Sequence, residues 1–331
     1  MKTRFLMATA AAAIVMVACN NEETDNWAGE IRLSSGLEAQ QVTRSINTAL
    51  QGGQIVNGIK VGFFINEDVA SDPTTTYTQN LSYTANGSGS FNGSTVYYPQ
   101  SGNGVNIYAY APWKDGLSLD GNYAFSIQQD QSTDENYLAS DLLWGQPMKL
   151  KTDDSGDYES ANPVERTKEN VNVTFKHLLS KIEIKLIPET GLTAEDFRGA
   201  TLKIFNVKNT TSLTLTDGAI SEASGGPVEV TAATYEDKEG LTEENLKAAA
   251  IVVPQTITKG TKFLKVTLKS GGELYYTLPS GADDADLVLE SGKIYKYDIK
   301  VKLTGLTVTS QITDWETIGE GIPTSGEAEM E

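Results

Sequence analysis

The sequence predicts an all-β protein with two β-sandwich domains in tandem. Short runs of alternating apolar and polar residues recur along the chain, clusters of Gly, Asn and Ser separate them, and no long helical periodicity follows the first 18 residues. A length of 331 residues suits two domains. With 39% hydrophobic and 21% charged residues, the composition is that of a globular protein and not of a disordered one.

Residues 1–18 are predicted to form a signal peptide. Lys2 and Arg4 make a positive start, and the apolar run that follows is too short to cross a bilayer as a helix. The run Val15–Ala18 before Cys19, the only cysteine, resembles a bacterial lipoprotein signal. The resemblance implies that the Cys19 thiol carries a lipid and becomes the mature N-terminus. The alternative is an ordinary signal peptide with a chance cysteine.

Residues 19–44 are predicted to form a lipidated tether followed by a removable first strand. Asn20–Asn26 is polar and acidic, and contains no residue that commonly forms a core. Glu30–Leu37 has apolar residues at alternate positions and is therefore expected to form a strand.

Residues 45–165 are predicted to form the N-terminal sandwich. Its strands are separated by turn-rich loops, and alternation is lost in Asp153–Glu169, where we place the domain boundary. The predicted strands are Ile55–Ile65, Tyr77–Tyr83, Thr95–Tyr98, Val105–Ala111, Tyr123–Ile127 and Leu142–Trp144.

Residues 166–331 are predicted to form the C-terminal sandwich with a polar tail. Its first strand, Val171–Ile187, changes the parity of its apolar residues, so we expect a bulge or short turn near Leu179–Lys181. Helical turns are expected at Thr193–Asp196 and Thr242–Glu244. The later predicted strands are Thr201–Val207, Ser212–Leu215, Ala249–Val253, Phe263–Leu268, Leu274–Leu278, Lys293–Leu303 and Leu306–Ile312.

About seven short strands in each half favour tandem sandwiches of the transthyretin or immunoglobulin type. The tail from Glu316 to Glu331 shows no alternation, and we expect it to be mobile.

The composition and motifs favour no enzyme class. A formal net charge of −18 disfavours nucleic acid as a partner. The single histidine, His177, cannot supply a His-type metal site or a catalytic triad, and is expected to be a partly buried, hydrogen-bonded residue near the bulge. We therefore predict no catalytic residues, no metal and no cofactor.

Two weaker signals have simple structural interpretations. Asp153–Asp157 and Asp283–Asp286 lack the ligand spacing of an EF-hand and are expected to be solvated loops, although calcium is the alternative. A group of aromatic residues is expected to lie on alternating strand faces, with a sugar-binding platform as the alternative; the group is Tyr97, Tyr98, Tyr108, Tyr110 and Trp113.

Several motifs, in order along nearly the whole chain, resemble those of the fimbrillin family, the type V pilus subunits of Bacteroidales. After the lipoprotein signal at Cys19, the motifs are Ile31–Leu37 leading to Arg44, Ile59–Phe64, Tyr97–Pro99, Tyr108–Pro112, Phe175–Ile182, and Gly292–Tyr295 continuing to Ile312–Trp315.

The resemblance implies a cycle of export, cleavage and assembly. The precursor is a lipid-anchored protein of the outer membrane, an arginine-specific protease cuts it, and the first strand leaves. The C-terminal strand of a neighbouring pilin subunit then fills the groove, and the product is an extracellular fimbrium. The chain has only five arginines, and we predict cleavage between Arg44 and Ser45, with Arg32 as the competing site.

Two questions stay open on sequence alone. Leu306, Val308 and Ile312 are either a donor strand or the final strand of their own domain; the second case describes a tip subunit that contacts a host or bacterial surface ligand. The alternative function is a surface lipoprotein that binds glycans for nutrient uptake.

The lipidation of Cys19 gives the first testable prediction. Cys19→Ala removes the acceptor thiol, so the precursor should stay uncleaved or become soluble and should leave the detergent phase on phase partitioning. A matched Ser34→Ala variant should partition as the parent does. Unchanged partitioning of Cys19→Ala would show that Cys19 carries no anchor.

Overall fold

The computed structural model describes residues 27–37, 54–69, 78–153, 157–189, 191–235, 241–242, 246–302, 305–315 and 324–329. The protein is all-β, as predicted. In the described ranges the one α-helix is α1 (Asp134–Ala139), and Ala194–Phe197 forms a 3₁₀ turn. That turn carries the capping box of Thr193 and Asp196, where the sequence predicts a helical turn. The second predicted turn falls largely on residues outside the described ranges.

The first half forms a single mixed sheet. The strands of this half, all but β6 in that sheet, are β1 (Leu33–Leu37), β2 (Lys60–Glu67), β3 (Thr78–Ala85), β4 (Phe91–Asn92), β5 (Val105–Ala111), β6 (Asn122–Ser126), β7 (Leu143–Leu150), β8 (Tyr158–Ser160) and β9 (Val171–His177). The order is β1-β9-β7-β5-β2-β3-β4, with β8 paired to β7. β6 stands apart from this sheet and pairs with a strand of the second half.

The strands of the second half follow from Ser180 onwards. They are β10 (Ser180–Pro188), β11 (Thr201–Val207), β12 (Thr210–Thr214), β13 (Val228–Thr234), β14 (Lys247–Val252), β15 (Gln255–Ile257), β16 (Lys262–Thr267), β17 (Glu273–Thr277), β18 (Leu287–Leu289), β19 (Lys293–Lys302), β20 (Gly305–Asp314) and β21 (Thr324–Glu329).

Two main sheets organise this second half. One has the order β14-β10-β19-β20-β21, and the other has the order β13-β11-β16-β17. The two-stranded sheets β12-β6 and β15-β18 complete it. Because β12 belongs to the second half and β6 to the first, the pair β12-β6 joins the two halves directly.

The parity change in the predicted strand Val171–Ile187 has a different cause from the one expected. The strand is interrupted at Leu178 and Leu179, close to the expected position, but the interruption is a change of sheet: the chain leaves the first sheet after His177 and enters another sheet at Ser180. The Leu178 N–H donates to Leu142 O of the first half, whereas Leu179 O accepts from Gly292 N of the second. The alternation of buried and exposed side chains therefore starts afresh where the chain changes sheets, so odd-numbered residues are buried before the change and even-numbered residues after it.

β9 forms hydrogen bonds with β7 and β1, although the predicted domain limit at residues 165 and 166 would assign it to the second half. The sequence loses alternation in the loop before β9, but the chain changes sheets only after that strand.

The apolar core has two parts. One is confined to the first half and includes Val61, Phe63, Val173 and Phe175. The other is larger and continuous across both halves, because Phe64, Tyr110, Tyr123 and Trp144 pack with side chains of β10, β11 and β19. The first sheet is therefore buried on both faces, and β2 has six consecutive buried residues, from Val61 to Asn66.

The C-terminal tail differs from the expectation of mobility. Thr324–Glu329 forms β21, which pairs antiparallel with β20 at the edge of its sheet. This strand has no apolar alternation, so the sequence pattern could not reveal it. Its pairing with β20 comes from backbone hydrogen bonds, which any side chain permits.

Candidate functional site

Residues 27–37, here called the N-terminal segment, lie between two other parts of the first half. On one side β1 runs parallel to β9, with Leu33 opposite Val171 and Leu37 opposite Phe175. On the other side the segment makes antiparallel bridges to residues 89–98, which include β4. The N-terminal segment thus connects the two ends of the sheet.

Backbone hydrogen bonds tie both edges of the N-terminal segment. Towards residues 89–98, the N–H groups of Ile31 and Ser35 donate to Val96 O at 2.7 Å and Gly89 O at 2.8 Å. Towards β9, Val171 N donates to Arg32 O at 2.7 Å. If the segment left, polar groups on both neighbouring strands would lose these partners, which is costly unless another strand replaces it.

The side chains of the N-terminal segment alternate between the core and the surface. Ile31 and Ser35 are 7% and 9% exposed, and Leu33 packs against the first-half core. Arg32 points outwards and pairs with Glu30 at 2.5 Å. Burial of Ile31 and partial burial of Leu33 together contribute at most about 3–6 kcal/mol to holding the segment in place.

The start of the N-terminal segment is fixed by a cluster that the sequence pattern did not reveal. The Arg166 guanidinium lies 5.0 Å from the Trp27 ring centroid, and Trp27 makes an edge contact with Tyr98 at 6.3 Å between centroids. Gly29 has φ +96°, and a Cβ there would lie 2.5 Å from the Arg166 guanidinium. The signal in the sequence is a lone Trp and a Gly directly after a polar tether.

Three predicted site residues, Cys19, Arg44 and Ser45, lie outside the described residues. The competing cleavage site, Arg32, lies at the start of a paired strand, and its carbonyl oxygen is hydrogen-bonded to β9. A protease would have to detach this strand before it could cut there.

The C-terminal candidate residues lie in β20 within the sheet of their own half. Leu306 and Val308 are 2% and 1% exposed, whereas Ile312 is 43% exposed. β20 pairs with β19 on one side and with β21 on the other. In this structure β20 is therefore an internal strand of the sheet of its own half, and it is not the final strand because β21 follows it.

The end of β20 is held at the junction of the two halves. Trp315 stacks on His177, with ring centroids 3.9 Å apart and planes inclined by 8°. His177 is 2% exposed and its Nδ1 lies 2.9 Å from Asp141 Oδ1. Lys181 is also buried beside this stack; burial lowers its pKa, although Glu183 lies 2.8 Å away. His177 thus has a hydrogen-bonding partner, as expected, but it is more deeply buried than the sequence predicts.

The other candidate sites do not form a binding surface. Tyr98 and Tyr110 are 3% and 0% exposed and belong to different parts of the core, so the five aromatic residues make no common platform. Burial raises the pKa of the Tyr110 hydroxyl to about 12. This hydroxyl lies 2.6 Å from Asn80 Oδ1, which gives Tyr110 a structural role.

A lysine side chain brings a positive charge to the loop Asp283–Asp286, where calcium is the alternative that the sequence leaves open. Lys259 Nζ donates to Gly281 O at 3.1 Å and to Asp284 O at 3.0 Å, and Asp286 Oδ1 accepts from Lys259 N. In the part of the chain that the structure describes, no group of three or more His, Cys, Asp or Glu side chains is arranged to hold a metal ion. The loop Asp153–Asp157 is only partly described.

No helix within the described ranges is long and apolar enough to span a bilayer.

An all-β chain with several sheets is the fold that the fimbrillin resemblance implies. The family model for fimbrillin-like proteins matches residues 43–315, which is most of the chain. The chain therefore belongs to the fimbrillin-like family. The match begins beside Arg44 and ends at Trp315, so the N-terminal segment and β21 lie outside it.

Individual relatives agree with this assignment. A protein of Bacteroides uniformis, provisionally named fimbrium subunit Fim1C, is 26% identical over 338 residues, covering 99% of this chain and 100% of that protein. Crystal structures of provisionally named cell adhesion proteins share the fold. The structure from B. uniformis has a TM-score of 0.61 at 21% sequence identity, and the match covers 87% of this chain and 98% of that one. The structure from B. ovatus has a TM-score of 0.60 at 19% sequence identity, and the match covers 88% of this chain and 99% of that one.

The position of β20 gives the second prediction. Leu306→Asp with Val308→Asp places two carboxylates in the core. Replacement of Leu306 alone by alanine would cost about 2–5 kcal/mol, a large part of a total stability of about 5–15 kcal/mol, and a buried carboxylate costs more. We expect the second half of the isolated monomer to unfold, measured by thermal denaturation followed by near-UV circular dichroism.

Thr307→Asp is the matched control for this prediction. Thr307 is partly exposed and lies opposite Lys300, so its replacement should leave the melting curve nearly unchanged. A double variant that remains fully folded but fails to enter fibres would instead identify β20 as a donated strand.

Proposed function

We propose that this protein is a structural pilin that is exported as a lipoprotein, cut after Arg44, and assembled by strand exchange. Its precursor is anchored to the outer membrane through Cys19, and the mature form is part of an extracellular fimbrium. Its role is structural and not catalytic. Its partners are other pilin subunits, and an arginine-specific protease matures it.

The observation that carries the proposal is the position of the N-terminal segment. The segment is at the start of the described chain, and it is hydrogen-bonded on both edges while only a few of its side chains enter the core. A cut after the segment would leave it attached only by noncovalent contacts. An incoming strand could then replace every backbone hydrogen bond that the segment makes.

Strand exchange provides assembly without a nucleotide or a disulfide. A donor with two or three inward apolar side chains gains roughly 3–9 kcal/mol from burial, before the cost of ordering the strand. An unfilled groove exposes two rows of unpaired backbone polar groups. Because the incoming strand must pair with these groups, they fix its direction and its register. Such an interface forms only after cleavage, which couples assembly to arrival at the cell surface.

β20 and β21 suggest the place of this subunit in the fimbrium. β20 is internal to its own sheet and ends at the Trp315–His177 stack, and β21 offers no large apolar side chain to a neighbour. We infer a subunit that accepts a strand and keeps its own C-terminus, as a tip subunit would. A tip subunit is the one that meets a host or bacterial surface ligand.

Cleavage after Arg44 gives the third prediction. Arg44→Ala removes the cut, so the N-terminal segment should stay covalently attached and incorporation into fibres should fall at least about tenfold. Arg44→Lys is a second variant that keeps the charge and removes the residue an arginine-specific protease requires. Incorporation is measured in sheared surface fractions, together with the N-terminal residue of the mature chain.

Ser45 at the mature N-terminus of the parent supports the assignment. Normal incorporation of Arg44→Ala with an intact N-terminal segment would contradict it.

A further inference from the structure

Among the inward positions whose side chains the structure describes, the N-terminal segment has the order large, large, small. Ile31 is 7% exposed, Leu33 packs against the first-half core, and Ser35 is 9% exposed. Arg32 and Ser34, between them, lie on the outer side of the strand. The groove that holds the segment therefore has two positions shaped for large apolar side chains and a third that is occupied by serine.

The third position is closely surrounded. Ser35 N donates to Gly89 O at 2.8 Å, and on the other edge Ser35 lies opposite Val173, which is fully buried. Ser35 as a whole residue is 9% exposed. Because even a side chain as small as serine is almost fully covered here, a larger one would have to displace its neighbours.

We propose that the vacated groove selects a strand with large apolar residues at the places of Ile31 and Leu33 and a residue no larger than serine at the place of Ser35, and that a subunit of different sequence supplies this strand. The inference rests on the proposed strand exchange and adds to it the pattern that identifies the partner.

The C-terminus of this chain does not supply such a strand. β21 has the sequence Thr-Ser-Gly-Glu-Ala-Glu, with no large apolar residue of either parity. β20 does carry Leu306, Val308 and Ser310 in the required order, but it is hydrogen-bonded on both edges and its two large side chains are buried. Its donation would remove a strand from inside the sheet, so a second copy is a poor partner.

A peptide-exchange experiment on the cut chain tests the selection rule. Residues 20–331 are produced with a sequence-specific protease site between Arg44 and Ser45, so that after cleavage only noncovalent contacts hold the N-terminal segment. A fluorescent peptide of residues 27–37 is then added, and its incorporation is followed by anisotropy. Unlabelled peptides compete with it.

The peptides are chosen so that the effect of side-chain size at the position of Ser35 is measured separately from the ability of a peptide to bind at all. A Ser35→Leu peptide should compete at least about tenfold more weakly than the parent peptide. An Arg32→Ala peptide is the matched control and should compete within about threefold, because that side chain is 48% exposed. A peptide of residues 305–312 should compete, since it has the required pattern, whereas residues 322–331 should not.

The outcomes separate this inference from the proposed function. If the parent peptide never enters the cut protein, strand exchange itself is contradicted. If the parent peptide enters but the Ser35→Leu peptide competes equally well, the selection rule is wrong. The cut protein alone should remain monomeric in size-exclusion chromatography, and polymers of it would overturn the claim that the partner has a different sequence.

Discussion

The first half depends on a strand being present between β9 and residues 89–98. Both of these neighbours direct backbone polar groups into the same gap, and the N-terminal segment satisfies them from its two edges. Buried backbone groups without partners cost free energy comparable to lost hydrogen bonds, so the gap cannot simply stay empty. In the proposed strand exchange another strand of suitable pattern fills it, because backbone hydrogen bonds do not depend on side-chain identity.

The junction between the two halves holds β9, one of the two strands that border this gap, in place. β9 pairs with the N-terminal segment, and directly after β9 the chain crosses into the second half. At this crossing Leu178 is hydrogen-bonded to the first half and Leu179 to the second. The core is continuous across the junction, and β6 pairs with β12. Loss of one peripheral strand therefore leaves most of the burial intact, which a strand-accepting subunit requires.

Sequence reasoning predicted the all-β class and most strands, because period-two alternation reports burial of one face directly. It could not assign β9 to the first half, since the alternation of Val171, Val173 and Phe175 is the same whichever sheet they join. It missed β21 because an edge strand can lack apolar residues. It did not predict the contact of Arg166 with Trp27, because two residues so distant in sequence produce no local pattern.

The most direct measurement is to tether the N-terminal segment by a disulfide. Ser34 and Asn172 lie opposite each other in β1 and β9, and Cys19, the only native cysteine, is the proposed site of lipidation. In Ser34→Cys with Asn172→Cys the oxidised bond should keep the segment on the cut chain and exclude the subunit from fibres. Each single variant should assemble normally, and a reductant should restore assembly of the double variant. Normal incorporation with the disulfide intact would contradict the account.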